Sequence, residues 1–336
     1  MQTVRRIYMV TPFFSDIRPI ILSALKGATH EILVAVYWFT NQELFDILCQ
    51  KQKEGTKVEL IIHNDCINNR DTGLAFQQFV DRGGQFFFSN ADNPMHNKFC
   101  VIDESILING SYNWTYYAEN KNSENILLIE GEDSVIKSFK DEFHSLKQKL
   151  QRIEKVERIS LYELEEFNSM GAKEYLANDL IYQAKATGRK DLVATAFSLT
   201  PGNIKVQKVA SSLNLTEKLK TTSSLGVSTQ GDKYLIIIPK GTSIPVSMSA
   251  IVVTVTDDQV SMASTIYFGE NEKASVNSPM KSTLLSGIPK KPKGQAQMKY
   301  VFSIDTYGML RIDTYSLDNG VSIRETIDIK KLLIKP

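Results

Sequence analysis

Met95-His96-Asn97-Lys98-Phe99-Cys100-Val101-Ile102-Asp103, followed by Gly110-Ser111-Tyr112-Asn113-Trp114-Thr115, is the stretch on which the reading turns. His96, Lys98 and Asp103 make an H-x-K-x(4)-D pattern, and Ser111 and Asn113 follow in G-S-x-N. Two short apolar runs, 97–102 and 106–109, flank a polar 103–105, the pattern of two strands about a tight turn. Side chains alternate along a strand, so His96 and Lys98 project from one face. The second strand returns Ser111 and Asn113 to the same end. An imidazole, an ammonium, a hydroxyl and a carboxamide then share one place. That set suits a phosphate. The imidazole can attack phosphorus or carry a proton. Lys98 can neutralise a non-bridging oxygen, and Ser111 and Asn113 can donate to the others. Asp103 is expected to orient a partner imidazole and stabilise its cationic form.

Outward from the motif, strand and helix patterns alternate. Strands are expected over 7–10, 31–39, 57–62, 85–89 and 124–130. Helices are expected over 16–27, from the cap Asn41 to Gly55, around Leu74–Val80, and from 134 to about 157. The near-continuous apolar run 31–39 suits a strand covered on both faces. This order implies an α/β layered domain with a mixed sheet between helices, over 1–157. Lys140, Lys147, Lys149, Arg152 and Lys155 read as a solvated helix face, and Lys51, Lys53 and Lys57 as surface.

The motif resembles the single-motif branch of the phospholipase D superfamily, in particular the small bacterial phosphodiesterase-type endonucleases. The similarity continues through Ala118-Glu119-Asn120-Lys121-Asn122-Ser123-Glu124-Asn125 and covers roughly 5–150. Glu124 falls where that family carries a carboxylate supporting the active-site histidine. The resemblance implies a metal-independent phosphodiesterase with catalytic residues His96, Lys98, Asp103, Ser111, Asn113 and Glu124, no cofactor and no metal. One motif supplies one histidine, whereas the family chemistry uses two. A homodimer with a nucleic-acid substrate at a shared site follows from the same resemblance.

Composition sets bounds. The 336 residues suffice for two domains with cores of their own. The net charge of +1 provides no global field for nucleic acid. Cys49, Cys66 and Cys100 form an odd, sparse set that excludes a disulfide framework and a zinc site of C-x-x-C type. The N-terminal apolar run is too short to span a membrane, so no membrane insertion and a cytoplasmic location are expected.

Residues 158–220 read as a helical connector: Leu161, Leu164 and Phe167, then Tyr175, Leu176, Leu180 and Ile181, have helical spacing, with Gly171 and Gly188 as breaks. From 221 to 336 short strand-like runs separated by turn residues indicate an all-β sandwich. Ser224-Leu225-Gly226-Val227, Ile238-Pro239-Lys240-Gly241-Thr242-Ser243-Ile244-Pro245 and Phe302-Ser303-Ile304-Asp305-Thr306-Tyr307-Gly308-Met309-Leu310 resemble the substrate-binding β-sandwich of DnaK-type heat-shock chaperones. That family seats an extended peptide in a groove. The matching positions are Val227, Val252, Met262, Ser264 and Met298, with Gln230 and Val255 at the arch over the peptide. Ser264 and Gln230 are polar where the family is apolar, and Ser264 is expected to leave a hydroxyl at the pocket wall.

Three readings stand at this point: a nuclease carrying a module for extended peptide or unfolded protein, a phosphodiesterase acting on phospholipid head-group esters, and a non-catalytic peptide-binding protein dimerised by its N-terminal domain.

Overall fold

A computed structural model of the chain describes residues 9–90, 92–159 and 170–336. The chain divides into two compact units, Met1–Thr187 and Gly188–Pro336. In the first, β1 (Met9–Phe13), α1 (Ile17–Gly27), β2 (Glu31–Val36), α2 (Gln42–Lys53), β3 (Lys57–His63), α3 (Phe76–Asp81) and β4 (Gln85–Ser89) precede the motif hairpin. That hairpin is β5 (Lys98–Ile102) and β6 (Ile106–Gly110), followed by α4 (Tyr116–Lys121), β7 (Ile126–Glu130), α5 (Asp133–Gln148) and α6 (Met170–Thr187).

The seven strands form one mixed sheet in the order β1-β7-β6-β5-β2-β3-β4. Alternation divides its side chains between two cores. Ile32, Val34, Leu60, Ile62, Cys100 and Ile102 pack toward α1 and α2, with Ile21, Leu25, Leu44 and Leu48. Leu33, Ala35, Ile61, Phe99 and Val101 pack toward α5, with Ile136 and Phe143. Both faces of β2 are covered, which is why its sequence is apolar throughout.

Several local expectations change. β1 continues through Pro12 to Phe13, tolerable because it is the sheet's edge strand; Ile7 lies outside the described residues. Lys51 is buried, its ammonium bonded to the Lys26 carbonyl at 3.1 Å and to Glu54 at 2.6 Å. Lys140 and Lys147 are not idle surface charges on α5. Lys140 pairs with Glu31 at 2.8 Å, and Lys147 pairs with the fully buried Glu59 at 2.6 Å, so both tie the helix to the sheet.

The stretch expected as a helical connector is shared between the units. α6 belongs to the first, contains Gly171, and ends at Gly188 with φ +73°, the left-handed residue that commonly stops a helix. Leu161, Leu164 and Phe167 lie outside the described residues. α7 (Asp191–Leu199) and α8 (Ile204–Ser212) belong to the second unit, where Gln207 accepts the Thr306 N–H at 2.9 Å.

The second unit continues with β8 (Leu219–Thr221), β9 (Leu225–Thr229), β10 (Lys233–Ile238), β11 (Ser243–Ile244), β12 (Val246–Val253) and β13 (Ser261–Phe268). It ends with β14 (Ser278–Ser286), β15 (Gln297–Ile304), β16 (Met309–Ser316), β17 (Ser322–Asp328) and β18 (Leu333–Ile334). Sheets β10-β9-β13-β14 and β12-β15-β16-β17 face one another, with a small third sheet β11-β8-β18. Leu225, Val227 and Ile266 from one side meet Phe302, Ile304, Leu310 and Ile312 from the other. This is the expected sandwich.

Candidate active site

The register of the sheet gathers the motif at one end. Val36 pairs with Lys98, Gly110 with Ile126, and His63 with Ser89. Tyr37 donates its N–H to the Asn97 carbonyl at 3.0 Å, and Ser111 donates to the Asn125 carbonyl at 3.0 Å. His96, Lys98, Ser111, Asn113 and Glu124 therefore share one rim, as the hairpin expectation requires. Gly110 makes the G-S-x-N turn possible: a Cβ there would lie 2.1 Å from the Asn125 carbonyl oxygen.

His96 is exposed, and its ring lies 4.7 Å from that of Tyr37. The Lys98 ammonium donates to the His96 carbonyl at 2.8 Å and stands 3.3 Å from each imidazole nitrogen. Burial lowers the Lys98 pKa to about 8, against the opposing pull of the Glu124 carboxylate. Burial, then the charges of Lys98 and His63, hold His96 below the ordinary imidazole value. Neutral imidazole and cationic ammonium thus coexist near pH 7, the protonation states a nucleophile and a phosphate clamp need.

Ser111 donates its hydroxyl to Glu124, whose other oxygen accepts from Asn122 at 2.8 Å. Within one chain Glu124 thus positions Ser111. Asn113 is nearly buried and accepts the Trp38 N–H at 3.2 Å, so its amide nitrogen is the end left to donate.

Asp103 overturns its expected role. It lies just beyond the end of β5 opposite to His96. Its carboxylate accepts from Thr29 N at 2.7 Å, Thr29 Oγ1 at 2.9 Å, and the N–H groups of His30 and Glu31 at 2.8 Å. Partial burial alone would raise its pKa, but these bonds prevail and hold it below the usual carboxylate value. It is a backbone clamp and orients no imidazole.

The rim also carries residues that the motif does not reveal. His63 stacks on Tyr37 at 4.7 Å and 20°, on the ring that also meets His96, and its Nδ1 lies 3.2 Å from Ser89 Oγ. Burial lowers the His63 pKa, with Asp65 opposing. Asp65 is itself held above its ordinary value by burial, although it accepts the Trp38 indole N–H at 2.7 Å. The available signal was positional: Tyr37 follows β2 and His63 closes the adjacent parallel β3, so both fall at the end where His96 stands.

In the second unit, Gln230, Val252, Val255, Met262 and Ser264 line one cavity of about 300 Å³, together with Gln259 and Tyr300, which the sequence reading had not singled out. Val227 and Met298 do not line it; both are fully buried in the core behind. Ser264 is corrected as well. Its hydroxyl is hydrogen-bonded to the buried Tyr300 phenol, so no free hydroxyl is left at the wall.

Residues 21–147 match the family described as "Cardiolipin synthase, PLD-like domain", and residues 208–334 match "Hsp70 protein". The chain is 30% identical over 125 residues to the mitochondrial cardiolipin hydrolase of Chlamydomonas reinhardtii, covering 37% of this chain and 55% of that protein. It is 38% identical over 107 residues to the mitochondrial heat shock 70-related protein 1 of Leishmania major, covering 32% of this chain and 17% of that one. It therefore spans about half the length of the first relative and far less of the second. Among solved structures it is similar to Nuc, a phospholipase D family member from Salmonella typhimurium, with TM-score 0.41 and 24% identity over 44% of this chain and 100% of that one. Residues 21–147 are a phospholipase D-like domain and residues 208–334 an Hsp70-type region, joined in one chain.

Proposed function

We propose that this protein is a phosphodiesterase that cleaves DNA or RNA through a phosphohistidine on His96, without a metal, at a site completed by a second copy of the chain. The observation that carries this reading is the Lys98 ammonium, held 3.3 Å from both nitrogens of an exposed, neutral His96. A ring nitrogen of His96 forms a bond to phosphorus as the bond to the leaving sugar oxygen breaks. His96 of the partner subunit gives its proton to that oxygen. Water then attacks phosphorus, returns a proton to the same imidazole, and the P–N bond breaks. Lys98 and the Asn113 amide hold the phosphoryl oxygens, and the Ser111 hydroxyl, which donates to Glu124 and accepts from the Asn125 N–H, fixes the turn beside them.

A second copy is invoked because one chain carries one H-x-K motif. His30 stands at the Asp103 end, and His63, near enough for its charge to lower the His96 pKa, stacks on Tyr37 with its Nδ1 3.2 Å from Ser89 Oγ. A two-fold axis at the rim would bring the two His96 together. The cavity lined by Gln230, Val252 and Met262 is the place for an extended peptide or unfolded protein. Cys49, Cys66 and Cys100 are buried and form no disulfide, in keeping with the cytoplasmic setting we assign.

A phospholipid ester is the second reading, because the name of the Chlamydomonas relative carries cardiolipin. The deciding experiment incubates the purified chain with labelled single- and double-stranded DNA, RNA and cardiolipin vesicles, each with and without chelator. Cleavage of nucleic acid alone supports the first reading, and release of lipid products alone replaces it.

A further inference from the structure

Five aromatic rings follow one another away from the imidazole of His96. Tyr37 lies 4.7 Å from it, Trp38 lies 5.1 Å from Tyr37, and Tyr175 lies 4.5 Å from Trp38. Tyr117 lies 4.5 Å from Tyr175, and Tyr182 ends the run at 6.4 Å. All five are half-buried. Tyr37 and Trp38 extend β2, Tyr117 is on α4, and Tyr175 and Tyr182 come from α6, which lies outside the residues matched to the phospholipase D-like family.

Two of the rings are fixed by their polar ends. The Trp38 indole donates to Asp65 at 2.7 Å, and the Tyr175 hydroxyl is bonded to Thr115 at 2.8 Å. Their polar atoms are thereby engaged within the fold. Docking of α6 does not require the rings to stop half-way: Leu176, Ala177, Leu180 and Ile181 are buried, and Asp179 accepts the Tyr117 N–H at 2.9 Å. The run begins beside a phosphate-binding cation, for Lys98 lies 5.5 Å from the centre of the Tyr37 ring. A cation for the backbone and successive rings for the bases is the arrangement by which proteins hold unpaired nucleic acid. In a duplex the base faces are already covered by neighbouring pairs.

We propose that Trp38, Tyr175, Tyr117 and Tyr182 form a stacking track for the unpaired bases of a single-stranded nucleic acid whose phosphodiester lies at His96 and Lys98. The inference rests on the nuclease reading above, and its test separates the two. The full chain is given a labelled oligoadenylate, in DNA and RNA form, and a strand of the same length whose flanking residues lack bases. The wild-type chain is expected to cut the base-bearing strand faster. In Tyr117→Leu that preference should fall about tenfold, the size of one lost stacking contact, and Tyr117→Phe should keep it. Tyr182→Leu, at the outer end of the run, gives an independent reading if Tyr117→Leu fails to fold. An unchanged preference in the Leu variants overturns the track while leaving the nuclease standing. Loss of preference in Tyr117→Phe as complete as in Tyr117→Leu assigns the effect to the hydroxyl and also overturns it. A wild-type chain that cuts none of these strands defeats the track, and if it also leaves double-stranded DNA uncut it defeats the nuclease reading with it.

Discussion

Lys98 Nζ stands 3.3 Å from both ring nitrogens of His96, so one side chain's charge governs the other's proton. Both groups are held below their ordinary values, Lys98 at about 8. A lowered lysine pKa means the ammonium is intact below about pH 8 and lost above it. Activity should therefore take an added alkaline fall near pH 8, beyond the bell set by the two imidazoles of the proposed dimer, which titrate as a coupled pair with one neutral and one protonated. Lys98→Arg should carry the alkaline limb upward, because a guanidinium does not deprotonate in this range. A pH–rate profile of the two proteins checks this; a limb that stays at pH 8 in Lys98→Arg belongs to some other group.

Removal of the imidazole is expected to abolish turnover, with His96→Ala at least about 10²-fold slower than wild type. Excess chelator should leave the wild-type rate unchanged. If the site is shared, mixing inactive His96→Ala chains with wild type should depress activity further than dilution does, since each mixed dimer lacks one histidine. Light scattering on the same samples supplies the assembly state, and a fully active monomer would refute sharing.

Gly110→Ala tests the turn that presents Ser111. The added methyl meets the Asn125 carbonyl, so β6 and β7 must part where Ser111 and Glu124 are held. A loss of about 2 kcal/mol in stability is expected from overpacking, with a fall in turnover beyond what the unfolded fraction explains. Denaturant titration alongside activity separates the two effects.

The cavity of the second unit gives a prediction opposite to the one its sequence suggests. Ser264→Ile should not improve the site for an apolar anchor. It presses a larger side chain against Tyr300 and strips the phenol of its partner. Tyr300→Phe alone leaves the Ser264 hydroxyl buried and unpaired, at a cost of roughly 1–3 kcal/mol, whereas Ser264→Ala with Tyr300→Phe removes both partners and should be close to neutral. Thermal unfolding of the three variants decides, and a double variant as unstable as Tyr300→Phe would sink the argument.

Much of the candidate rim was legible because it is local. His96, Lys98, Ser111 and Asn113 sit on one hairpin, where strand alternation and a tight turn determine who faces whom. The Asp103 role was not legible, because its partners are N–H groups of residues 29–31, and backbone donors leave no trace in side-chain pattern. Tyr175 was hidden for a related reason: only the docking of α6 brings it to Trp38. In the sandwich, β13 was legible from its alternation, whereas β14 and β17 are rich in polar residues on their outer faces and gave no apolar run to mark them. The Ser264–Tyr300 pair joins strands on facing sheets, so neither residue alone signals the bond.

Asp103 has a consequence for the motif's spacing. The clamp pins one end of β5 to the start of β2, while His96 and Lys98 occupy the other end. The four residues between Lys98 and Asp103 therefore act as a ruler. One residue more would either tear the aspartate from its three amides or slide the strand by a step, turning Lys98 to the opposite face of the sheet. The number in H-x-K-x(4)-D is a length measured across the sheet, and the aspartate is its zero mark.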